Sequence, residues 1–385
     1  MTTISQLPVQ PLGEAASIPL DPKIFNTAKT DYESTSLLMG TPPGLFDSVN
    51  KRFPEIWKLY KSMKSLDWDE NEFKYDTCNP QFKTCPPAVR EMMIRTLAWQ
   101  WEADSMAARQ VAPIMACFNP TSELWAAYSA VGTNEVLHAL TYSEIVRLSF
   151  DNPDEVLSEI LAVQESLQRM EHVGEVMRRG FVTAHKFALG MVENDQDTYN
   201  DAYMVVVAML VLERLQFIGS FAITFAIANT GLFMPIGKAV QKIAQDELEI
   251  HVQIGKQVLA HENTTERGKT ARRQCADMIT KLIGDVLMTE INWAHGLFSE
   301  GRELLGMNSD LLIKWDLFNA KDLYEFFGIP LPEEFDFPEH NPLKFMEKWL
   351  NIAMTQAAPM EQQNGQYKLN VMRRTDEGKV FDADF

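Results

Sequence analysis

The run Tyr203–Ala228, YMVVVAMLVLERLQFIGSFAITFAIA, carries only two charges, Glu213 and Arg214, side by side at its middle. A helix that is apolar nearly all round has no face to offer water, so it must sit at the centre of a bundle with neighbours on most sides. A membrane span is the other home for such a run. No stretch of the chain reaches about 18 apolar residues without an interrupting charge or polar residue, which argues for the bundle.

Helical periodicity continues on both sides of this segment. Long helices are predicted at about 86–118, 121–150, 197–230, 235–262 and 266–300, with shorter ones at about 53–66, 153–190, 309–327 and 341–354. Breaks fall where Asn119-Pro120, Asn152-Pro153 and Asn229-Thr230-Gly231 interrupt the pattern. Alternating β-rich runs and Asn-Gly hairpin signals are lacking, and no repeat recurs at a solenoid period. The fold class expected is all-α. An extended N-terminal segment (1–45) precedes one helical domain (46–355), and a polar C-terminal tail (356–385), expected to be flexible, follows it.

Charge narrows the function. With 35 Lys+Arg against 53 Asp+Glu the net charge is −18, which disfavours nucleic acid or an anionic membrane as partner. The four cysteines, Cys78, Cys85, Cys117 and Cys275, have no CxxC spacing, so neither a disulfide framework nor a zinc knuckle is implied. Residues 1–22 lack the basic and apolar regions of a secretory signal, and a soluble cytoplasmic protein is expected.

The chemistry lies in carboxylates where an apolar helix should have none. An ionised carboxylate in a dry bundle costs several kcal/mol unless a cation or hydrogen bonds compensate it. Glu213 is one such group. On the 121–150 helix, Glu135 and His138 stand three apart, about 60° from one another on the cylinder, and Tyr142 returns to the same face a turn later. The 235–262 helix offers a second carboxylate–histidine pair within the run Gln245–His251, QDELEIH, and Asp104 is a lone acid on the 86–118 helix. Four carboxylates and two histidines on four long helices match the donor set of helix-bundle dimetal sites, in which two helices give one carboxylate each and two give a carboxylate–histidine pair. Anionic oxygen suits hard ions and can bridge them, and imidazole adds one borderline donor per metal.

In these residues the sequence resembles the small (beta), radical-generating subunit of class I ribonucleotide reductase. The resemblance spans roughly residues 50–260 and returns at the tail. It implies a ferritin-like bundle whose metal ligands are Asp104, Glu135, His138, Glu213, Glu247 and His251. It makes Tyr142 the radical tyrosine, with Phe217 and Phe221 as the apolar wall of its pocket. Trp68 and Tyr367 are then radical relays, with Asp246 joining Trp68 to His138. Phe381, Asp382, Ala383, Asp384 and Phe385 form the plug that docks on the large subunit. One departure stands out: the second pair is usually spaced Glu-x-x-His, whereas Glu247 and His251 are four apart. Counting back three from the histidine reaches Leu248, which cannot bind metal, and Glu249 would point about 160° from Glu247 in a regular helix. A one-residue π-bulge at Glu247 would absorb the insertion, and such bulges are frequent at functional sites.

The implied activity is that of ribonucleoside-diphosphate reductase. A dinuclear centre, two irons with dimanganese or a manganese–iron pair left open, uses O2 to generate the Tyr142 radical, which passes to the large subunit for reduction of ribonucleotides. A homodimer is implied as well. The alternative is a dimetal oxidase or hydroxylase on the same bundle that acts directly on a small substrate, with no need of Tyr142, Tyr367 or the terminal plug.

Overall fold

Proline and short polar side chains decide where the helices begin. Proline opens α1 (Pro54–Ser65), α2 (Asn79–Thr84), α3 (Pro87–Cys117), α5 (Pro153–Leu161) and α9 (Met234–Asp246) within their first two positions, where a missing N–H costs nothing. Side-chain oxygens cap others: Thr121 for α4 (Ser122–Ser149), Asp195 for α7 (Gln196–Val211), Thr265 for α11 (Glu266–Gln274) and Asn308 for α13 (Ser309–Phe327). The remaining helices are α6 (Gln164–Ala188), α8 (Phe217–Asn229), α10 (Val252–Glu262), α12 (Ala276–Leu297) and α14 (Phe345–Trp349). The computed structural model describes residues 36–40, 44–46 and 48–351. Among these, β structure is limited to isolated bridge positions, at Leu45 and between Leu304 and Met307.

Two of the helices expected to be continuous are interrupted by π turns. Leu212–Gln216 joins α7 to α8, and Glu247–His251 joins α9 to α10. The predicted 266–300 helix also breaks, at Cys275, and the 153–190 helix breaks at residues 162–163. The 341–354 helix shrinks to the five residues of α14, and the CNPQFKTC stretch between Cys78 and Cys85 holds the short helix α2.

The result is an all-α ferritin-like bundle. The α3 helix packs along α4, α6 and α8, while α8 packs on α9 and α7 on α10. By length and composition Gln196–Asn229 could cross a membrane, but 94% of its most apolar window is buried inside the protein. Its two charges part company: Glu213 is buried, whereas Arg214 reaches outward to Asp322 at 2.9 Å and Asn319 at 2.6 Å. Outer helices are tied on by a buried ion pair that the sequence did not announce. The guanidinium of Arg169 on α6 donates to Glu290 of α12 at 3.0 Å and lies 4.0 Å from the rings of both Trp99 and Trp293. Leu37, Leu38 and Met39 are also buried, with Met39 N–H donating to the Phe118 carbonyl at 2.8 Å.

Candidate metal centre

Four core helices deliver the six expected ligand residues to one place. Asp104 comes from α3, Glu135 and His138 from α4, Glu213 from the first π turn, and Glu247 and His251 from the second. They fall into two groups that share two members. Asp104, Glu135, His138 and Glu247 have donor atoms within 4.8 Å of one another, and so do Glu135, Glu213, Glu247 and His251. Every one of the six is buried.

The arrangement is close to symmetric about the shared carboxylates. His138 Nδ1 lies 2.9 Å from Glu247 Oε1, 3.7 Å from Glu135 Oε2 and 3.9 Å from Asp104 Oδ2. His251 Nδ1 lies 2.8 Å from Glu247 Oε2, 3.3 Å from Glu135 Oε1 and 3.9 Å from Glu213 Oε1. Glu247 and Glu135 thus turn one oxygen toward each histidine, as bridging carboxylates between two ions would. Glu247 and His251, four apart, share one face of the helix, and the second π turn spans them both.

Burial and crowding make the group a poor home for bare charges and a good one for cations. Both oxygens of Asp104, Glu135 and Glu247, Glu213 Oε2 and Nδ1 of both histidines have no hydrogen-bond partner. Left so, such atoms would each cost free energy. The pKa values show the same strain. Burial first, then the neighbouring carboxylate of Glu135, lifts Asp104 well above its ordinary value. Burial and Glu247 do the same to Glu213. Burial resists charging His138, but its contact with Asp246 and the nearby carboxylates of Glu135 and Glu247 outweigh it and its pKa rises well above normal. His251 rises likewise, against burial, through Glu247, Glu135 and Glu213. Glu247 alone falls, because both histidines and Glu213 favour its anion more than burial opposes it. The oxygen-rich donor set, arranged as two overlapping groups, fits a dinuclear metal centre.

A hydrogen-bonded line leads out of this cluster. Asp246 Oδ2 accepts from the Trp68 indole N–H at 2.7 Å and lies 3.2 Å from His138 Nε2, while the Trp68 ring stacks at 6.1 Å from the His138 ring. Trp68 also lines a cavity of about 510 Å³ with Trp57, Tyr60, Trp125 and Asn134. Tyr142 is fully buried and its hydroxyl has no partner. Burial, then Asp104, Glu247 and Glu135, raise its pKa well above the ordinary value, so the phenol stays protonated at rest. Phe217 and Phe221 are buried and stacked on each other with centroids 5.6 Å apart.

Comparison with known proteins now decides the family. The profile of the family "Ribonucleotide reductase, small chain" matches residues 46–342. The chain belongs to this family. It is therefore the small, radical-generating subunit of a ribonucleotide reductase, an oxidoreductase component. Its sequence is 26% identical over 363 residues to the ribonucleoside-diphosphate reductase subunit beta of Buchnera aphidicola subsp. Schizaphis graminum, covering 89% of this chain and 94% of that protein. It is 24% identical over 370 residues to the subunit beta of Enterobacteria phage T4, again covering 89% and 94%. In fold it is similar to the ribonucleotide reductase R2 subunit from Clostridium botulinum, with TM-score 0.69, 18% identity, and 86% of this chain and 98% of that one covered. It is similar too to the dimanganese(II)-NrdF of Streptococcus sanguinis, with TM-score 0.62, 12% identity, and 79% and 98% covered.

Of the small-subunit residues expected from sequence, the described part of the chain holds the six ligands, Tyr142, Trp68, Asp246, Phe217 and Phe221. Tyr367 and Phe381–Phe385 lie outside the described residues. Sequence reading missed Asn134, whose amide sits between Asp246 and His251. Its position directly before Glu135 was the available signal.

Proposed function

We propose that Asp104, Glu135, His138, Glu213, Glu247 and His251 hold two metal ions, two irons in the first instance, and that Tyr142 is the residue oxidised beside them. The observation that carries this reading is the pair of buried, partnerless donor groups that share Glu135 and Glu247. When bound, the ions with O2 supply the one-electron oxidation of Tyr142. The chain's own residues do the rest. The buried core keeps water from the Tyr142 phenol, and Phe217 and Phe221 are assigned to the wall of its pocket. Asp246 holds the Trp68 indole and His138 on one oxygen, which gives a short hydrogen-bonded route for an electron and its proton to cross toward the surface.

Tyr367 is assigned as the next relay, and Phe381, Asp382, Ala383, Asp384 and Phe385 as the segment that docks on the large subunit, where ribonucleotides are reduced. A homodimer is proposed as the working form; Val136 and Leu140, adjacent on α4, are 45% and 48% exposed, and a second copy would cover them. All four cysteines are free thiols, which suits a reducing compartment such as the cytoplasm.

The test is electron paramagnetic resonance on metal-stripped protein given ferrous iron and then air, with metal content measured on the same sample. About two irons per chain and an organic radical are expected. Tyr142→Phe should keep the irons and lose the radical. A radical that persists in the variant would remove Tyr142 from its role.

A further inference from the structure

The Asn134 side chain lies on α4, buried to 9% exposure, with both ends engaged. Its Nδ2 donates to Asp246 Oδ2 at 3.3 Å, and its Oδ1 lies 3.1 Å from His251 Nε2. The orientation follows from chemistry. Asp246 Oδ2 already accepts from the Trp68 indole N–H, so the amide turns its NH2 to that oxygen, and its own oxygen is left to accept. His251 Nε2 must then carry the proton, and Nδ1 is released toward Glu247, Glu135 and Glu213. On the other side Asp246 imposes the same protonation on His138, whose Nδ1 faces Glu247, Glu135 and Asp104.

We infer that Asn134 is a positioning residue that ties the two halves of the centre together, holding His251 in its Nε2–H form and linking it to the same Asp246 oxygen that serves Trp68 and His138. The inference rests on the reading that these residues hold two metal ions. It makes the outer hydrogen bonds of both histidines one connected unit, Trp68–Asp246–Asn134–His251, with His138 as its branch. A ligand histidine that loses such an outer partner loses orientation and basicity, typically a 10- to 100-fold effect on metal affinity. The loss should fall on one ion. His138 keeps its bond to Asp246 when Asn134 is removed, whereas His251 has no other Nε2 partner among the described residues.

The experiment is a Mn(II) titration of metal-stripped full-length protein, followed through the six-line signal of free Mn(II), on the wild type, Asn134→Ala and Asn134→Leu. The leucine variant fills the amide's volume, so a packing defect does not imitate the effect. Two Mn(II) per wild-type chain are expected. Both variants should bind the first ion as the wild type does and the second roughly 10- to 100-fold more weakly. Unchanged binding in both variants, or equal weakening of both sites, would overturn the role of Asn134 and leave the centre standing. Fewer than two Mn(II) on the wild type would instead overturn the dinuclear reading, and this inference with it. Loss of helical circular dichroism in both variants would mark Asn134 as a structural residue and also overturn the assignment.

Discussion

At the scale of single residues, this molecule uses buried charge in two ways, and each gives a distinct pH signature. In the metal centre Asp104, Glu213, His138 and His251 all hold protons more tightly than usual. Metal ligands must give those protons up, so binding is coupled to proton release. Affinity for Fe(II) or Mn(II) should therefore rise with pH across the neutral range. Calorimetric titration in buffers of different ionisation enthalpy should show protons released per ion bound; a pH-independent affinity with no release would contradict the protonation pattern. Away from the centre, Asp316 on α13 is a buried carboxyl with neither oxygen partnered, packed where Gly219 of α8 leaves room: a Cβ there would come within 2.9 Å of Asp316 Oδ1. Burial, then Glu290, raises its pKa well above the ordinary value even with Arg169 nearby. The folded state thus keeps a proton that the unfolded chain releases above about pH 4. Asp316 costs stability as pH rises from there toward its folded pKa, at up to about 1.4 kcal/mol per pH unit. Asp316→Asn, which cannot ionise, should match the wild type near pH 4 and gain on it steadily above, as measured by urea unfolding at several pH values. Equal stability of the two proteins at neutral pH would show the carboxyl to be better solvated than its surroundings suggest.

The elements explain which parts of this could be read beforehand. Glu213 was legible because its run is otherwise apolar but for Arg214, the three-residue spacing of Glu135 and His138 fixes a shared face without tertiary knowledge, and Asp104, on a helix with several other charges, was legible only beside that set. The four-residue spacing of Glu247 and His251, one more than the family's usual three, suggested a π-bulge that would absorb the insertion, and a π turn spans Glu247–His251. The companion turn at Leu212–Gln216 had no such signature, since a lone glutamate has no partner to betray a register change. Arg169 and Glu290 were hidden for a different reason. Each is a charge on an amphipathic helix, where it reads as solvated, and the tryptophans that bury Arg169 lie about 70 and 120 residues away in sequence. Asn134 gave only its place directly before Glu135 as a signal, because one amide carries no periodicity. A π turn gives up regular i→i−4 bonding for geometry. Deleting Leu248 would restore an uninterrupted helix through α9 and α10 and bring Glu247 and His251 to the usual three-residue spacing. The variant should fold with a Tm at or above that of the wild type and hold its second metal ion less tightly, since the distances from Glu247 to both histidines are set by the present turn. Metal content and thermal unfolding on the same preparation would check both halves. A lower Tm with intact metal binding would mean that the turn serves packing instead.

The proposed function separates where the radical is made from where it is spent, and the chain's path makes that separation testable. The last described helix, α14, is fastened to the helices of the centre. Trp349 stacks on Phe225 at 4.7 Å, its indole donates to Asn229 Oδ1 at 3.0 Å, and its carbonyl accepts from Gln241 at 2.7 Å. From Asn351 the chain has 16 residues to Tyr367 and 34 to Phe385. At most about 3.5 Å per residue, that gives Tyr367 a reach of roughly 55 Å and the terminal aromatic about twice as far. On the proposed assignments, that length would let the terminal segment hold a partner while Tyr367 serves as relay from Trp68. These two duties are separable by mutation. Removing residues 376–385 should leave metal content, the Tyr142 radical and Tm unchanged, abolish turnover with the large subunit, and abolish its binding in sedimentation or surface-immobilised assays. A synthetic peptide with the sequence of those residues should inhibit the intact pair competitively. Tyr367→Phe should do the opposite: full binding, full radical, no turnover. If the truncated protein still turned over with the large subunit, docking would have to be reassigned to the helical body. Turnover in Tyr367→Phe would likewise move the relay off that residue. In either case the centre would stand, because its six residues all come from α3, α4 and the two π turns.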